Sequence, residues 1–234
     1  FPSLNSKVAQ ATAFTYLKSR IESYKSAYFD LNSASQSADK CEIFLQRNGQ
    51  RLYTLTSEEI QVIPGNPLAY WSSNQTRACF KSKKPFGYFA KASNGIQTGD
   101  NEKFLRYWHE VNFHQLGKKW IPYNKGGDFR KWFGNNSLTV NWADNGHKIK
   151  QQNNCCIRGE KYFFKPGITW SDITSGGSSY RAFPEGFLFD AKGPSAFFDG
   201  DLNICLGIAN SKPAAMFSKL LNPTLSFQIG DFRR

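Results

Sequence analysis

Long apolar runs, metal-ligand clusters and catalytic signatures are all missing from this 234-residue chain. No stretch of about 18 apolar residues occurs, which excludes a spanning helix, and no signal-peptide pattern opens the chain. Five cysteines, Cys41, Cys79, Cys155, Cys156 and Cys205, show no CxxC spacing. They read as reduced thiols of a cytoplasmic protein, with neither a disulfide framework nor a zinc site. The three histidines include His109 and His114, five apart, which fits neither an i,i+4 metal pair nor HExxH. Neither GxSxG nor a phosphate-binding Walker loop is present, and Gly126-Gly127 and Gly176-Gly177 are bare doublets. Asn74-Gln75-Thr76 and Asn135-Asn136-Ser137 match the glycosylation pattern, which has no meaning in a cytoplasmic setting.

What the chain does contain is basic charge and aromatic surface. Thirty Lys and Arg against 18 Asp and Glu give a formal charge of +12, and 16% of residues are aromatic. Mean hydropathy is −0.53, while 40% hydrophobic content suffices for a core, so a folded chain is expected rather than a disordered one. A localised cationic field attracts polyanions, and aromatic faces then pack on bases or sugars. The charge is concentrated: between Lys103 and Lys165 stand twelve basic residues and four acids, an excess of eight in about a quarter of the chain.

The expected class is α+β, with small mixed sheets and helices. Alternation over Ala13–Leu17 and Tyr24–Phe29 predicts an N-terminal hairpin. A polar loop from Asn32 to Asp39 marks a boundary. A second hairpin is expected around Asn48-Gly49, between Glu42–Leu45 and Leu52–Leu55, followed by a short helix from Thr56-Ser57-Glu58-Glu59. Further along, a helix is expected over Glu102–Trp108, capped by Asp100 or Asn101. Strands are expected at Gly167–Trp170, Tyr180–Phe183, Gly186–Asp190 and Ser195–Phe198. Two helices should meet near Ser211-Lys212-Pro213, before a last strand at Leu225–Ile229.

The residues suited to nucleic acid fall in two stretches. In the glycine-punctuated loop from Ser93 to Asn101, the amides of Asn94, Gln97 and Asn101 can pair with adenine edges or satisfy a tight turn. Lys103 and, further on, Lys148 add cationic charge. The second stretch, Trp120–Asn135, is denser: Lys125, Arg130 and Lys131 can neutralise phosphates, and its glycines permit close backbone approach. Asn124 and Asn135 can read bases, while Tyr123, Trp132 and Phe133 can serve as core or as stacking platforms. Asn222-Pro223-Thr224-Leu225 superficially matches the tetrad with which amino-group methyltransferases hold a flipped base. It lacks the second proline and the aromatic ring, and reads as a turn after a helix.

Taken in order, a series of short motifs resembles one family. It runs through Gly95-x-Gln97-Thr98-Gly99-Asp100-Asn101, Trp120-x-Pro122-Tyr123-Asn124-Lys125-Gly126-Gly127 and Arg130-Lys131-Trp132-x-Gly134-Asn135. It continues with Gly167-Ile168-Thr169-Trp170-Ser171, Gly186-Phe187-x-Phe189-Asp190, and Asn210-Ser211-Lys212 through Asn222-Pro223-Thr224 to Gly230-Asp231. The set resembles the adenine-specific DNA methyltransferases of the bacteriophage-exclusion (BREX) defence systems, the PglX family, and more loosely the large methyltransferases fused to type II restriction enzymes. Val8-x-Gln10-x-Thr12-Ala13-Phe14 looks like the final hairpin of that family's catalytic domain.

The resemblance implies a division into residues 1–30, a hairpin left from an α/β methyltransferase domain, and residues 31–234, a target-recognition region. Together with Phe1 standing where an initiator Met would be, it implies a piece of a longer protein. In the family, the cofactor-binding and catalytic motifs lie upstream, so no catalytic residue and no cofactor are expected here. The parent would use S-adenosylmethionine for adenine-N6 methylation, and this part would hold double-stranded DNA. Two alternatives stand beside that reading: a protein-interaction module of a defence complex, and a methyltransferase active only with its missing N-terminal half.

Overall fold

The computed structural model describes residues 12–19, 21–35, 37–47, 51–81, 84–174 and 177–234. Within it the chain divides into two compact units, Phe1–Glu59 and Ile60–Arg234. Among the described residues no helix is long and apolar enough to cross a membrane.

In the first unit β1 (Ser26–Phe29) pairs antiparallel with β2 (Leu52–Leu55), in the register Ser26↔Leu55 to Phe29↔Leu52. Between them lies α1 (Lys40–Gln46), started by the Asp39 carboxylate, which accepts from the backbone N–H groups of Cys41 and Glu42. This corrects the expected strand at Glu42–Leu45. An N-cap satisfies backbone donors that a short apolar run would otherwise have to pair across a sheet. Phe44 packs edge-on against Phe29, with ring centroids 5.0 Å apart. The expected N-terminal hairpin is corrected too: residues 13–17 carry no strand, and β1 finds its partner in β2. Val8 and Gln10 lie outside the described residues, as does Asn48-Gly49. The helix α2 (Ser57–Gln61) forms where the acidic start predicts, at the boundary of the units.

The second unit opens with α3 (Asn74–Cys79) and α4 (Phe86–Phe89), leading into β3 (Ala90–Ser93) and β4 (Ile96–Gln97). Next come α5 (Asn101–Phe104), β5 (Leu105–Tyr107), β6 (Trp120–Asn124), β7 (Leu138–Asn141), α6 (Ala143–Lys150) and β8 (Cys156–Ile157). The remainder is β9 (Gly167–Thr169), β10 (Arg181–Phe183), β11 (Leu188–Phe189), β12 (Ser195–Phe198), α7 (Leu202–Ala209), α8 (Lys212–Leu221) and α9 (Ile229–Arg233). Two four-stranded sheets result, ordered β10-β9-β12-β3, wholly antiparallel, and β11-β6-β7-β5, with only the β11–β6 pair parallel.

The first sheet is buried on both faces, and side-chain alternation divides its residues. Ala196 joins Ile168, Ala90 and Ala92 in a core with Cys205, Leu206 and Phe232, whereas Phe197 turns the other way to meet Phe183 and Phe189 of β11. Trp170 stacks on Phe232 with centroids 4.7 Å apart and donates its indole N–H to the carbonyl of Phe227 at 2.9 Å. The second sheet has its own core of Ile96, Phe104, Ile121, Tyr123, Val140, Trp142 and Leu188. The β3–β4 connection passes close against β11 because Gly95 has no side chain: a Cβ there would lie 1.8 Å from the carbonyl oxygen of Phe189.

Two further expectations are corrected. The helix over Glu102–Trp108 stops after one turn, at Phe104, and its residues from Leu105 enter β5, where their amides pair with β7. Asp100 does cap it, accepting from Lys103 N–H at 3.0 Å. The strand expected at Leu225–Ile229 reduces to a single bridge between Ile173 and Ser226, followed by α9.

Candidate nucleic-acid interface

The β6–β7 loop, residues 125–137, owes its shape to positive backbone dihedrals. Gly126, Gly127 and Gly134 have φ of +93°, +113° and +127°, and two non-glycines, Trp132 at +76° and Asn135 at +61°, join them. Such a φ on an aromatic residue costs ~1–3 kcal/mol and persists only where the surroundings enforce it. Here two backbone bonds do so: Trp132 N–H donates to Tyr180 C=O, and Ala182 N–H donates to Trp132 C=O, both at 2.8 Å. The loop is thereby laid beside β10 at Arg181. The indole is turned outward, 54% exposed, beside Phe133 at 68%.

Beneath the loop lies Arg181, 1% exposed. It projects from the same face of β10 as Phe183, the face turned away from the helices. Its guanidinium donates to the carbonyl of Arg130 and to the hydroxyls of Ser179 and Ser171, each at 3.4 Å, and Nε has no partner. No carboxylate pairs with it among the described residues. Desolvation therefore lowers its pKa to about 10, leaving it charged at neutral pH. Ser171 also donates to the Gly127 carbonyl at 2.7 Å, so both arms of the loop are tied to one buried polar cluster.

The strand register places other groups at the same end of the sheet. Tyr107, Leu138 and Tyr123 are level, and Trp108 N–H donates to Ser137 C=O at 3.0 Å. Trp108 is 54% exposed, and Tyr107 stacks with His109 at 5.5 Å. Lys125 is half-buried, and Arg130 is exposed, its guanidinium making no hydrogen bond or ion pair to a described residue. Lys131 is half-buried, and its ammonium donates to the carbonyl of Asn210 at the end of α7, at 3.1 Å. Asn135 is also half-buried, its amide donating to Asp128 C=O at 2.9 Å.

Tyr123 and Asn124 are not part of this surface, a correction to their expected role. Both belong to the central strand β6 and are buried, at 0% and 2% exposure, where a base edge cannot reach them. The Tyr123 hydroxyl lies 2.8 Å from the Asp190 carboxylate and 2.9 Å from the Ile96 carbonyl. Burial, with the neighbouring Asp190 charge adding to it, raises the pKa of this phenol well above the ordinary tyrosine value. Asp190 is itself pushed up by burial, against the opposing bond from Lys192 N–H. The Asn124 amide nitrogen is buried without a partner.

Asn94 and Gln97 flank Ile96, which bridges Asp190 just past β11 on the loop side, whereas Asn101, Lys103 and Lys148 belong to elements at the opposite end of the same sheet. There α5 leads into β5, β7 leads into α6, and Trp142 N–H donates to Lys119 C=O at 2.8 Å. Asn101 and Lys103 are exposed on α5, Lys103 lying over the Phe104 ring at 5.2 Å, and Lys148 is exposed on α6. Gln97 is exposed, its amide donating to Asn154 C=O at 3.3 Å, and Asn101 accepts from the Thr98 hydroxyl at 2.9 Å. Asn94 is half-buried in the β3–β4 connection, its carbonyl accepting from Ser93. Three residue steps, from Trp120 to Tyr123, separate the two ends, about 10 Å.

Few of these cations are matched by acids, although Lys125 stands near enough to the buried Asp190 for its charge to act on that carboxyl. Of the twelve basic residues from Lys103 to Lys165, Lys150 alone forms an ion pair among the described residues, with Glu160 at 3.2 Å. Sequence reasoning missed Arg181 and Trp108. Arg181 left one trace, an arginine alternating with Phe183 at a buried strand position, and Trp108 left another in the run Tyr107-Trp108-His109. The Asn222 side chain is committed internally. It donates to Ser226 C=O and the Asp231 carboxylate, both at 2.7 Å, and accepts from Thr224, so it has no donor left for a base.

No family model matches the chain. Among curated proteins it is similar to adenine-specific methyltransferase PglX of Lacticaseibacillus casei (strain Zhang), with 35% identity over 255 aligned residues, 98% of this chain and 21% of the relative. It is also similar to adenine-specific methyltransferase BrxX of Escherichia coli O9:H4 (strain HS), with 32% identity covering 100% of this chain and 20% of the relative. The chain thus spans about one fifth of the length of these relatives. The family likeness read from the motif series therefore holds along the whole chain, which is related to one segment of the PglX and BrxX adenine-specific methyltransferases.

Proposed function

We propose that this chain is the DNA-binding and sequence-recognition part of a site-specific DNA adenine-N6 methyltransferase used in phage defence or restriction-modification. Methyl transfer from S-adenosylmethionine would be carried out by the rest of the parent protein. Residues 31–234 would form the target-recognition region. The observation that carries this reading is the set of cations in the second unit left without acidic partners, interleaved with exposed rings.

The geometry suggests a division of labour. Arg130 and Lys125 meet phosphates at one end of the β11-β6-β7-β5 sheet, and Lys103 and Lys148 meet them at the other. Exposed amides at Gln97 and Asn101 are then the base readers, and Trp132, Phe133 and Trp108 pack on sugars or bases. Pinning by Arg181 and Ser171 holds the loop in order before contact, so less free energy is spent on immobilising it.

Selection of bound duplexes from a randomised pool tests the reading. Enrichment of one short sequence is the expected result. Recovery of the pool unchanged, or no recovery of duplex, contradicts it.

A further inference from the structure

A cavity of about 590 Å³ opens beside the β6–β7 loop, within the second unit. Phe129 and Lys131 of the loop wall one side. Trp71, Ser178, Lys219 near the end of α8, and Thr224 are among the other lining groups. Its volume falls in the ~300–1,000 Å³ range of small-ligand sites. Among the described residues no Asp or Glu lines it, and the Asp231 carboxylate behind its wall accepts from the Asn222 amide at 2.7 Å and pairs with Arg234. Phe129 is 49% exposed and Trp71 48%, so neither ring is consumed by core packing. Lys131 uses one donor on Asn210 and retains two, while the Lys219 ammonium makes no hydrogen bond or ion pair to a described residue. The turn Asn222–Leu225 closes the wall, and its Asn222 amide is bonded internally, which fixes the shape of the cavity.

Ammonium groups with no acid in the lining, hydroxyls, and two half-exposed aromatic rings, of which Trp71 packs edge-on with Tyr70, are a combination suited to a ligand that is both planar and anionic. A bare phosphate would leave the rings unused, and an apolar ring would leave the ammonium groups unpaired. We propose that this cavity binds a nucleotide, its base against Phe129 or Trp71 and its phosphate against Lys131 and Lys219. The nucleotide can come from solution, or from a DNA strand held by the loop that supplies Phe129 and Lys131. In the second case the inference rests on the proposed DNA reading.

The test titrates the full chain with dAMP, deoxyadenosine and inorganic phosphate, following tryptophan emission. In parallel it measures 2-aminopurine emission and anisotropy for a labelled duplex carrying that base. Saturable dAMP binding, tighter than for deoxyadenosine or phosphate and weakened about tenfold by Lys219→Gln, is the expected result for a free nucleotide. A 2-aminopurine response that is lost in Trp71→Leu while anisotropy still reports duplex binding identifies a nucleotide from DNA. A chain that binds duplex but gives neither response overturns this inference and leaves the DNA reading standing. Equal affinity for dAMP and phosphate also overturns it. Loss of duplex binding with dAMP binding retained sinks the DNA reading alone.

Discussion

The buried guanidinium of Arg181 donates to the backbone carbonyl of Arg130, 3.4 Å away, whose own side chain is exposed. One cation thus positions the backbone that displays another. With no carboxylate beside it, Arg181 gives up hydration for three long bonds and leaves Nε unpaired. Replacing an uncompensated buried charge with an apolar side chain of similar volume is often neutral or stabilising. Arg181→Met should therefore keep or raise the thermal midpoint while weakening duplex binding severalfold, because the loop loses its anchor. Unfolding scans paired with anisotropy titrations check this, and unaltered binding would remove Arg181 from the account.

Trp132 gives a second separation of stability from binding. Its φ of +76° suits glycine, so Trp132→Gly should relieve ~1 kcal/mol of backbone strain. It should also remove the exposed indole and reduce duplex affinity. Trp132→Ala, which retains the strain, should bind as weakly without the gain in stability. Denaturant midpoints for the two variants make the comparison.

The first of these residues shows what a sequence can and cannot convey. The strands Gly167–Thr169 and Ser195–Phe198 were legible because branched and aromatic residues sit between turn-formers, and the α7–α8 junction because Ser211 caps a helix with Pro213 in its first turn. Glu42–Leu45 misleads, since four residues carry too little periodicity and the Asp39 cap decides. Tyr123 and Asn124 fit an interface by composition, yet β6 is an inner strand of its sheet, a fact set by long-range pairing. A left-handed tryptophan and a buried arginine both run against local propensity. Only the contacts between β10 and the β6–β7 loop explain them.

Readers and phosphate contacts should respond differently to substitution. Arg130→Ala should weaken binding to all duplexes alike and make the slope of log K against log salt shallower by about 0.9. Gln97→Ala should instead change preference at one base pair, by ~1–3 kcal/mol if its amide makes a bidentate contact. Binding measured on a panel of single-base variants of the selected site distinguishes the two patterns.

Alkaline pH should unfold the chain through its buried phenols. Tyr123 and Tyr180 both have pKa values raised above 10.0, with desolvation the largest cause in each. Between that value and their folded-state values the native state binds more protons than the unfolded one. Their contribution to stability is therefore complete below pH 10 and is lost as pH rises beyond it. Tyrosinate absorbance should rise in two phases, the later one coinciding with loss of circular dichroism. Tyr123→Phe should reduce the later phase. A single phase completed before unfolding would contradict the burial of these hydroxyls.

The most direct measurement is the salt dependence of duplex affinity for the intact chain. With Lys103, Lys125, Arg130 and Lys148 on phosphates, log K should fall against log salt with a slope of about −3.6. A slope indistinguishable from zero would mean that the unpaired lysines and arginines do not face DNA.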